Sequence, residues 1–162
     1  MGVNVNHRTF VIERELPGRP AHAFRFWSVH ALKRRWTSCH PDWTVIEDRM
    51  DFREDGSERM IWRMPDGVEQ SMLAHYLEIA APGRIVYAYV MHTNGKCISS
   101  SLVTVELIGD GAKTFMTYTE QAVFGDISDG DIRESGTGLG FERLRDVLMT
   151  TPEAPEVLLH PS

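Results

Sequence analysis

The stretch ISSSLVTVELIGDGAKTFMTYTEQ, residues 98–121, decides the fold. Its first half (98–107) and its second half (113–121) each alternate apolar and polar residues, the period-two signature of a half-buried strand. Gly109-Asp110-Gly111-Ala112 separates them with turn chemistry and two glycines free to adopt positive φ. Pairing Ile108 with Lys113 would set Leu107 opposite Thr114, Val105 opposite Met116, Val103 opposite Tyr118 and Ser101 opposite Glu120. Opposite residues of an antiparallel pair share a face. This face is therefore apolar until it reaches one Ser-Glu spot, and it needs a cover. The helix expected after Asp131 is that cover.

Working outward, the segments 8–15, 43–52, 57–64, 68–79 and 84–92 also read as strands. Asp55-Gly56, Pro65-Asp66-Gly67, Pro82-Gly83 and Asn94-Gly95 separate them with hairpin-type turns, which implies an antiparallel meander rather than βαβ units. Between the first two strands, Pro20 suits the first turn of a helix, and Phe24, Trp27, Ala31, Leu32 and Trp36 continue at helical spacing. One or two short helices are expected over 20–36. Asp131 and Glu134 fit a capping box opening a helix that runs to about Leu148, with Phe141, Leu144 and Leu148 as its apolar stripe. Thr151 to Ser162 holds three prolines and is expected to fray.

The 162 residues suffice for one domain with a core that needs no staples. A net charge of −6, with no basic face, argues against nucleic acid and anionic membranes as partners. The Lys33-Arg34-Arg35 run reads as a solvated helix face. Cys39 and Cys97 match no metal spacing and read as reduced thiols; with no signal-like or membrane-spanning stretch, a cytoplasmic protein is expected.

Several motif readings fail on their context. Gly136-Thr137-Gly138-Leu139-Gly140 lies inside the expected helix and not between a strand and a helix, so it is no dinucleotide loop. Each helical glycine costs about 1 kcal/mol against alanine, and close approach to the sheet or room for a ligand beneath would offset that. The acidic run Asp126 to Asp131 lacks the ligand pattern of a calcium loop and reads as capping. The seven histidines form no HxH or HExxH arrangement, and no GxSxG elbow is present, so neither a metal centre, a cofactor nor a Ser-His-Asp hydrolase is expected.

The order β, α, α, six strands and a long helix is that of a curved antiparallel sheet gripping a C-terminal helix. Arg8-Thr9-Phe10, Pro20 ahead of Phe24 and Trp27, Arg35-Trp36 and Trp43-Thr44-Val45 all resemble one family. So do Tyr76-Leu77-Glu78-Ile79, Pro82-Gly83-Arg84-Ile85-Val86-Tyr87, Thr117 to Gln121 and Gly136-Thr137. The family is the START-like SRPBCC superfamily, in the branch named after the activator of the heat-shock protein 90 ATPase. The resemblance spans residues 7–148 and implies one α+β helix-grip domain of six or seven strands, with 149–162 as a proline-containing tail.

The inner face carries the candidate site. Met60, Trp62 and Met64 share a parity, as do Met72, Ala74 and Tyr76. A two-residue turn at Asn94-Gly95 would put Val86, Ala88 and Val90 level with Ser99 and Ser101, whereas a three-residue loop with a glycine bulge would put Tyr87, Tyr89 and Met91 there. The resemblance favours the tyrosines. It also implies a cavity whose ligand is a small apolar or aromatic molecule. Trp36, Trp62, Met72, Tyr87, Tyr89 and Met91 would form its wall, and Ser99, Ser101, Tyr118 and Glu120 would orient the ligand. Glu120 stands out because a carboxylate on an apolar face needs partners. A cyclase-like enzyme using Glu120 as acid or base is the alternative. The resemblance leaves room for a homodimer and for a chaperone partner in the stress response.

Overall fold

The computed structural model describes residues 5–38 and 40–153. Seven strands, β1 (Asn6–Pro17), β2 (Thr44–Met50), β3 (Ser57–Arg63), β4 (Glu69–Ala80), β5 (Arg84–Thr93), β6 (Lys96–Asp110) and β7 (Lys113–Phe124), form one antiparallel sheet in the order β1-β7-β6-β5-β4-β3-β2. Two short helices, α1 (Pro20–Ser28) and α2 (His30–Thr37), follow β1, and the long α3 (Ile127–Thr150) closes the chain. The curved sheet and the C-terminal helix make the helix-grip fold. β1 leaves the meander to pair with β7, so β2 and β1 are the two edges.

The hairpin of β6 and β7 keeps its expected faces but not its register. Asp110 pairs with Lys113 and Leu107 with Met116, so the loop is only Gly111-Ala112. Gly111 alone uses a positive φ, +63°, as the first residue of a two-residue type II′ turn requires. Gly109 lies in the strand instead, and a Cβ there would stand 3.4 Å from the Pro20 ring at the start of α1. The shift is two residues, so every side chain stays on its face. Glu120 consequently lies opposite Val103 and Phe10, and Ser101 lies opposite Ala122.

Asn94-Gly95 is a two-residue turn, with φ of +49° and +79°. By itself it would turn the β5 tyrosines outward. A bulge at Ile98 reverses that, because His92 pairs with Cys97 while Met91 pairs with Ser99 and Tyr89 with Ser101. The tyrosines reach the inner face through an extra residue in β6, not through a longer loop. Further register shifts after Val45 and after Tyr76 interrupt the ladders of β2 and β4.

Helix α3 begins at Ile127, a turn earlier than the Asp131 capping box implied. Asp126 caps it, accepting from the Ser128 backbone N–H at 2.9 Å. Ile127 and Ile132 are exposed, so the first turns of α3 carry no apolar stripe to reveal them. Asp131 and Glu134 accept instead from the Arg8 guanidinium, which ties α3 to the edge strand β1. The expected stripe is present: Phe141, Leu144 and Leu148 are buried, with Trp27, Trp36, Val105, Met116 and Tyr118 in the same core. Of the expected tail, residues 154–162 lie outside the described residues, as does Cys39.

Candidate functional site

Only the lower part of α3 packs fully onto the sheet. Above Phe141 a cavity of about 670 Å³ opens between the sheet, α2 and α3. Trp27 and Trp36 border it from the short helices, Met60 and Trp62 from β3, Met72 from β4, and Tyr87, Tyr89 and Met91 from β5. On the α3 side the wall is Arg133, Gly136, Thr137 and Gly140, which lie at i, i+3, i+4 and i+7 on one helix face. A Cβ at Gly136 would meet nothing within 4 Å, and one at Gly140 only the Arg143 guanidinium at 3.7 Å. These two glycines therefore leave open space; they do not bring helix and sheet closer.

Seven of the ten residues singled out from sequence line this cavity: Trp36, Trp62, Met72, Tyr87, Tyr89, Met91 and Tyr118. Ser99, Ser101 and Glu120 do not. They form a layer behind the wall in which Glu120 is wholly buried. Its Oε2 accepts from the Tyr89 hydroxyl and the Ser101 hydroxyl, each at 2.7 Å, and its Oε1 from the Tyr118 hydroxyl at 2.6 Å. Ser101 reaches it along the diagonal of the ladder, not from directly opposite. Arg133 completes the set, with Nη1 3.3 Å from Glu120 and 2.8 Å from the Tyr89 hydroxyl, and Nη2 2.7 Å from the Ser99 hydroxyl. Burial first, then the Glu120 charge, pushes the Tyr89 phenol upward, so it stays a neutral donor. Tyr118 is held high mainly by burial, with Tyr87, Tyr89 and Glu120 adding to it.

A second buried ionic cluster lies across the cavity. Lys33 Nζ donates to Glu58 Oε1 at 2.6 Å, the Tyr76 hydroxyl donates to the same oxygen at 2.6 Å, and Arg34 stands 2.8 Å from Glu58 Oε2. Arg34 also grips Asp48, which His30 meets at 2.8 Å. Burial alone would push the Glu58 carboxyl up. The charges of Lys33 and Arg34, with hydrogen bonds from Lys33 and Tyr76, outweigh it and hold the carboxyl at about 2. The solvated-face reading of Lys33-Arg34-Arg35 holds for the exposed Arg35 and is corrected for the other two: the Lys33 side chain is 9% exposed and that of Arg34 14%. The α2 face that carries them turns inward because Glu58 waits there.

Sequence reasoning passed over Glu58 and Arg133 and read Lys33 and Arg34 as solvated. The signal for Glu58 was present, since it shares its parity on β3 with Met60 and Trp62, as Glu120 does with Met116 and Tyr118 on β7. Arg133 was visible only as the polar end of the glycine face of α3.

The cavity walls make the comparison with known proteins informative. A family model described as "Activator of Hsp90 ATPase homolog 1-like protein" matches residues 18–151. The chain belongs to this family. A solved structure of an uncharacterised protein from Rhizobium leguminosarum is 38% identical, with a TM-score of 0.85, covering 91% of this chain and 98% of that one. One from Rhizobium loti is 35% identical, with a TM-score of 0.82 and coverage of 88% and 98%. A solution structure from Arthrobacter aurescens, at 19% identity and a TM-score of 0.72 over 99% of both chains, shares the fold. Among curated proteins none matches. For this family member, no helix among the described residues is long and apolar enough to cross a membrane. Nor do three His, Cys, Asp or Glu side chains among them gather to hold a metal ion.

Proposed function

We propose that the chain is a cytoplasmic binding domain for a small apolar or aromatic molecule, held between the sheet and α3. The observation that carries this reading is the pair Gly136 and Gly140. Two glycines in the middle of a helix weaken it by about 1 kcal/mol each, and here both line the cavity with room for a side chain, Gly140 buried and Gly136 at the exposed rim. Space is kept at the expense of helix stability, which fits a site that must admit a ligand. The wall of tryptophans, tyrosines and methionines suits a flat or irregular apolar body.

The cyclase-like alternative is less well supported. Glu120 does not border the cavity, and four donors occupy its two oxygens. To move a substrate proton it would first have to lose Tyr89 or Tyr118 from its front. A chaperone partner rests on the family description alone.

Gly140→Leu tests the reading. Leucine is the better helix former and fills cavity space, so the variant should melt at the same temperature as the parent or higher. Its affinity for hydrophobic dyes and fatty-acid-like probes should nevertheless fall by about tenfold or more, a loss of about 1.4 kcal/mol. Thermal shift and dye titration on both proteins measure the two effects separately. A folded Gly140→Leu variant that binds as the parent does would remove the cavity from the function.

A further inference from the structure

Helix α3 gives one face to the core and ties several of its charges to the sheet. Asp131 and Glu134 pair with Arg8, Glu142 with Arg14, and Arg133 with Glu120. A solvent-facing stripe is built differently. Asp129, Ile132, Gly136, Leu139 and Arg143 follow one another at steps of three, four, three and four residues, which aligns them along one side of the helix. Ile132 is 66% exposed and Leu139 62%. The charged ends of the stripe are not used by the fold. Asp129 forms no ion pair or side-chain hydrogen bond among the described residues. Arg143 engages only its Nε, which donates to the Trp36 carbonyl at 3.2 Å.

Single exposed apolar side chains are common on monomers, so exposure alone decides nothing. The order of the stripe decides: acid, apolar, small, apolar, base. Reversed, it is its own complement. Two such helices laid antiparallel about Gly136 set Ile132 against Leu139 and Asp129 against Arg143 of the second copy, and two-fold symmetry repeats both contacts. At the crossing, Gly136 meets Gly136. A Cβ there would find nothing within 4 Å in its own chain, so neither copy holds the other's backbone away. The antiparallel order also brings the positive end of each helix dipole to the negative end of the other. A parallel order would set Asp129 on Asp129 and Arg143 on Arg143. Charge therefore selects an antiparallel copy of the same chain.

We propose that this stripe is a homodimer interface, in which α3 of one copy packs antiparallel on α3 of another across Gly136. From Asp129 to Arg143 the stripe is about 21 Å long. An interface of that length lies at the small end of the specific range, so the dimer is a weak one, with a dissociation constant on the order of 10 µM. Asp129, Ile132, Gly136 and Arg143 also border the cavity, which places the partner's helix beside its mouth. The pairing itself does not depend on the binding reading.

Sedimentation equilibrium of the full chain, from about 1 to about 300 µM, should show a monomer–dimer equilibrium. Leu139→Glu puts a carboxylate against Ile132 and should weaken the dimer at least tenfold. Its far-ultraviolet circular dichroism should match the parent's, since Leu139 is exposed; Ile132→Glu takes its place if that variant fails to fold. Arg143→Glu sets two carboxylates face to face at each end and should also weaken the dimer by about tenfold. Asp129→Lys/Arg143→Glu exchanges the two signs and should return most of that loss. A parent that stays monomeric at about 300 µM overturns the inference and leaves the stripe to a different protein. A dimer that Leu139→Glu leaves intact overturns it too, because the copies then meet elsewhere. So does a charge exchange that returns nothing, because Asp129 and Arg143 then do not meet. Each of these outcomes is read without a ligand, so the binding reading stands or falls on its own test.

Discussion

Glu58→Ala should lower the stability of the protein by about 3–5 kcal/mol, the cost of stranding a buried charge. The substitution removes the acceptor of Lys33 and of the Tyr76 hydroxyl and leaves Arg34 with Asp48 as its one carboxylate. For a domain of this size that corresponds to a melting-temperature loss on the order of 10 °C. Lys33→Met/Glu58→Gln should be far milder, because the amide still accepts from Tyr76 and no ammonium is left buried. Chemical denaturation of the single and double variants measures both. A Glu58→Ala protein as stable as the parent would show that Lys33 and Arg34 find water instead.

The same cluster sets a pH dependence. Glu58 titrates at about 2 when folded, against an ordinary value of 4.5. A depressed carboxyl stabilises the folded state above its unfolded pKa, and that stabilisation is lost as pH falls through the folded one. Between about pH 4.5 and 2 the parent should therefore lose roughly 3 kcal/mol from this group, each pKa unit being worth about 1.4 kcal/mol. Glu58→Gln should lack that part of the acid limb. An unchanged acid limb in Glu58→Gln would assign the loss to other carboxylates.

Glu120→Ala should have an effect of similar size, again about 3–5 kcal/mol. It takes the shared acceptor from Tyr89, Ser101 and Tyr118 and the counter-charge from Arg133, whose side chain is 13% exposed. Adding Arg133→Met should return part of the loss, since an apolar side chain needs no counter-charge. Glu120→Gln should be gentler and should leave dye affinity nearly unchanged, because Glu120 lies behind the cavity wall. Dye affinity that collapses in a well-folded Glu120→Gln protein would bring the carboxylate back to the ligand and revive the enzyme reading.

How much of this was legible in the chain differs from element to element. The alternation in 98–107 and 113–121 determined two strands and their inner faces, and a two-residue error in register left those faces intact because the strand period is two. Turn chemistry at Asn94-Gly95 and Gly111 determined where the hairpins fold. The stripe Phe141, Leu144 and Leu148 determined which end of α3 packs onto the core.

Other features exist only in three dimensions. Nothing local distinguishes the bulge at Ile98 from regular strand, yet it decides that Tyr89 faces inward, because its gain comes from packing across the sheet. Polar side chains at helix spacing look solvated until an opposite charge is placed over them. Lys33 and Arg34 turn inward because β3 brings Glu58 to α2 from 25 residues along the chain, and Arg133 turns inward because α3 crosses Glu120. The chain by itself determined the strands, their faces and an aromatic wall. Whether its glycines mean close packing or open space, and which charges meet, was decided by tertiary structure, since both depend on distances between segments that no local pattern encodes.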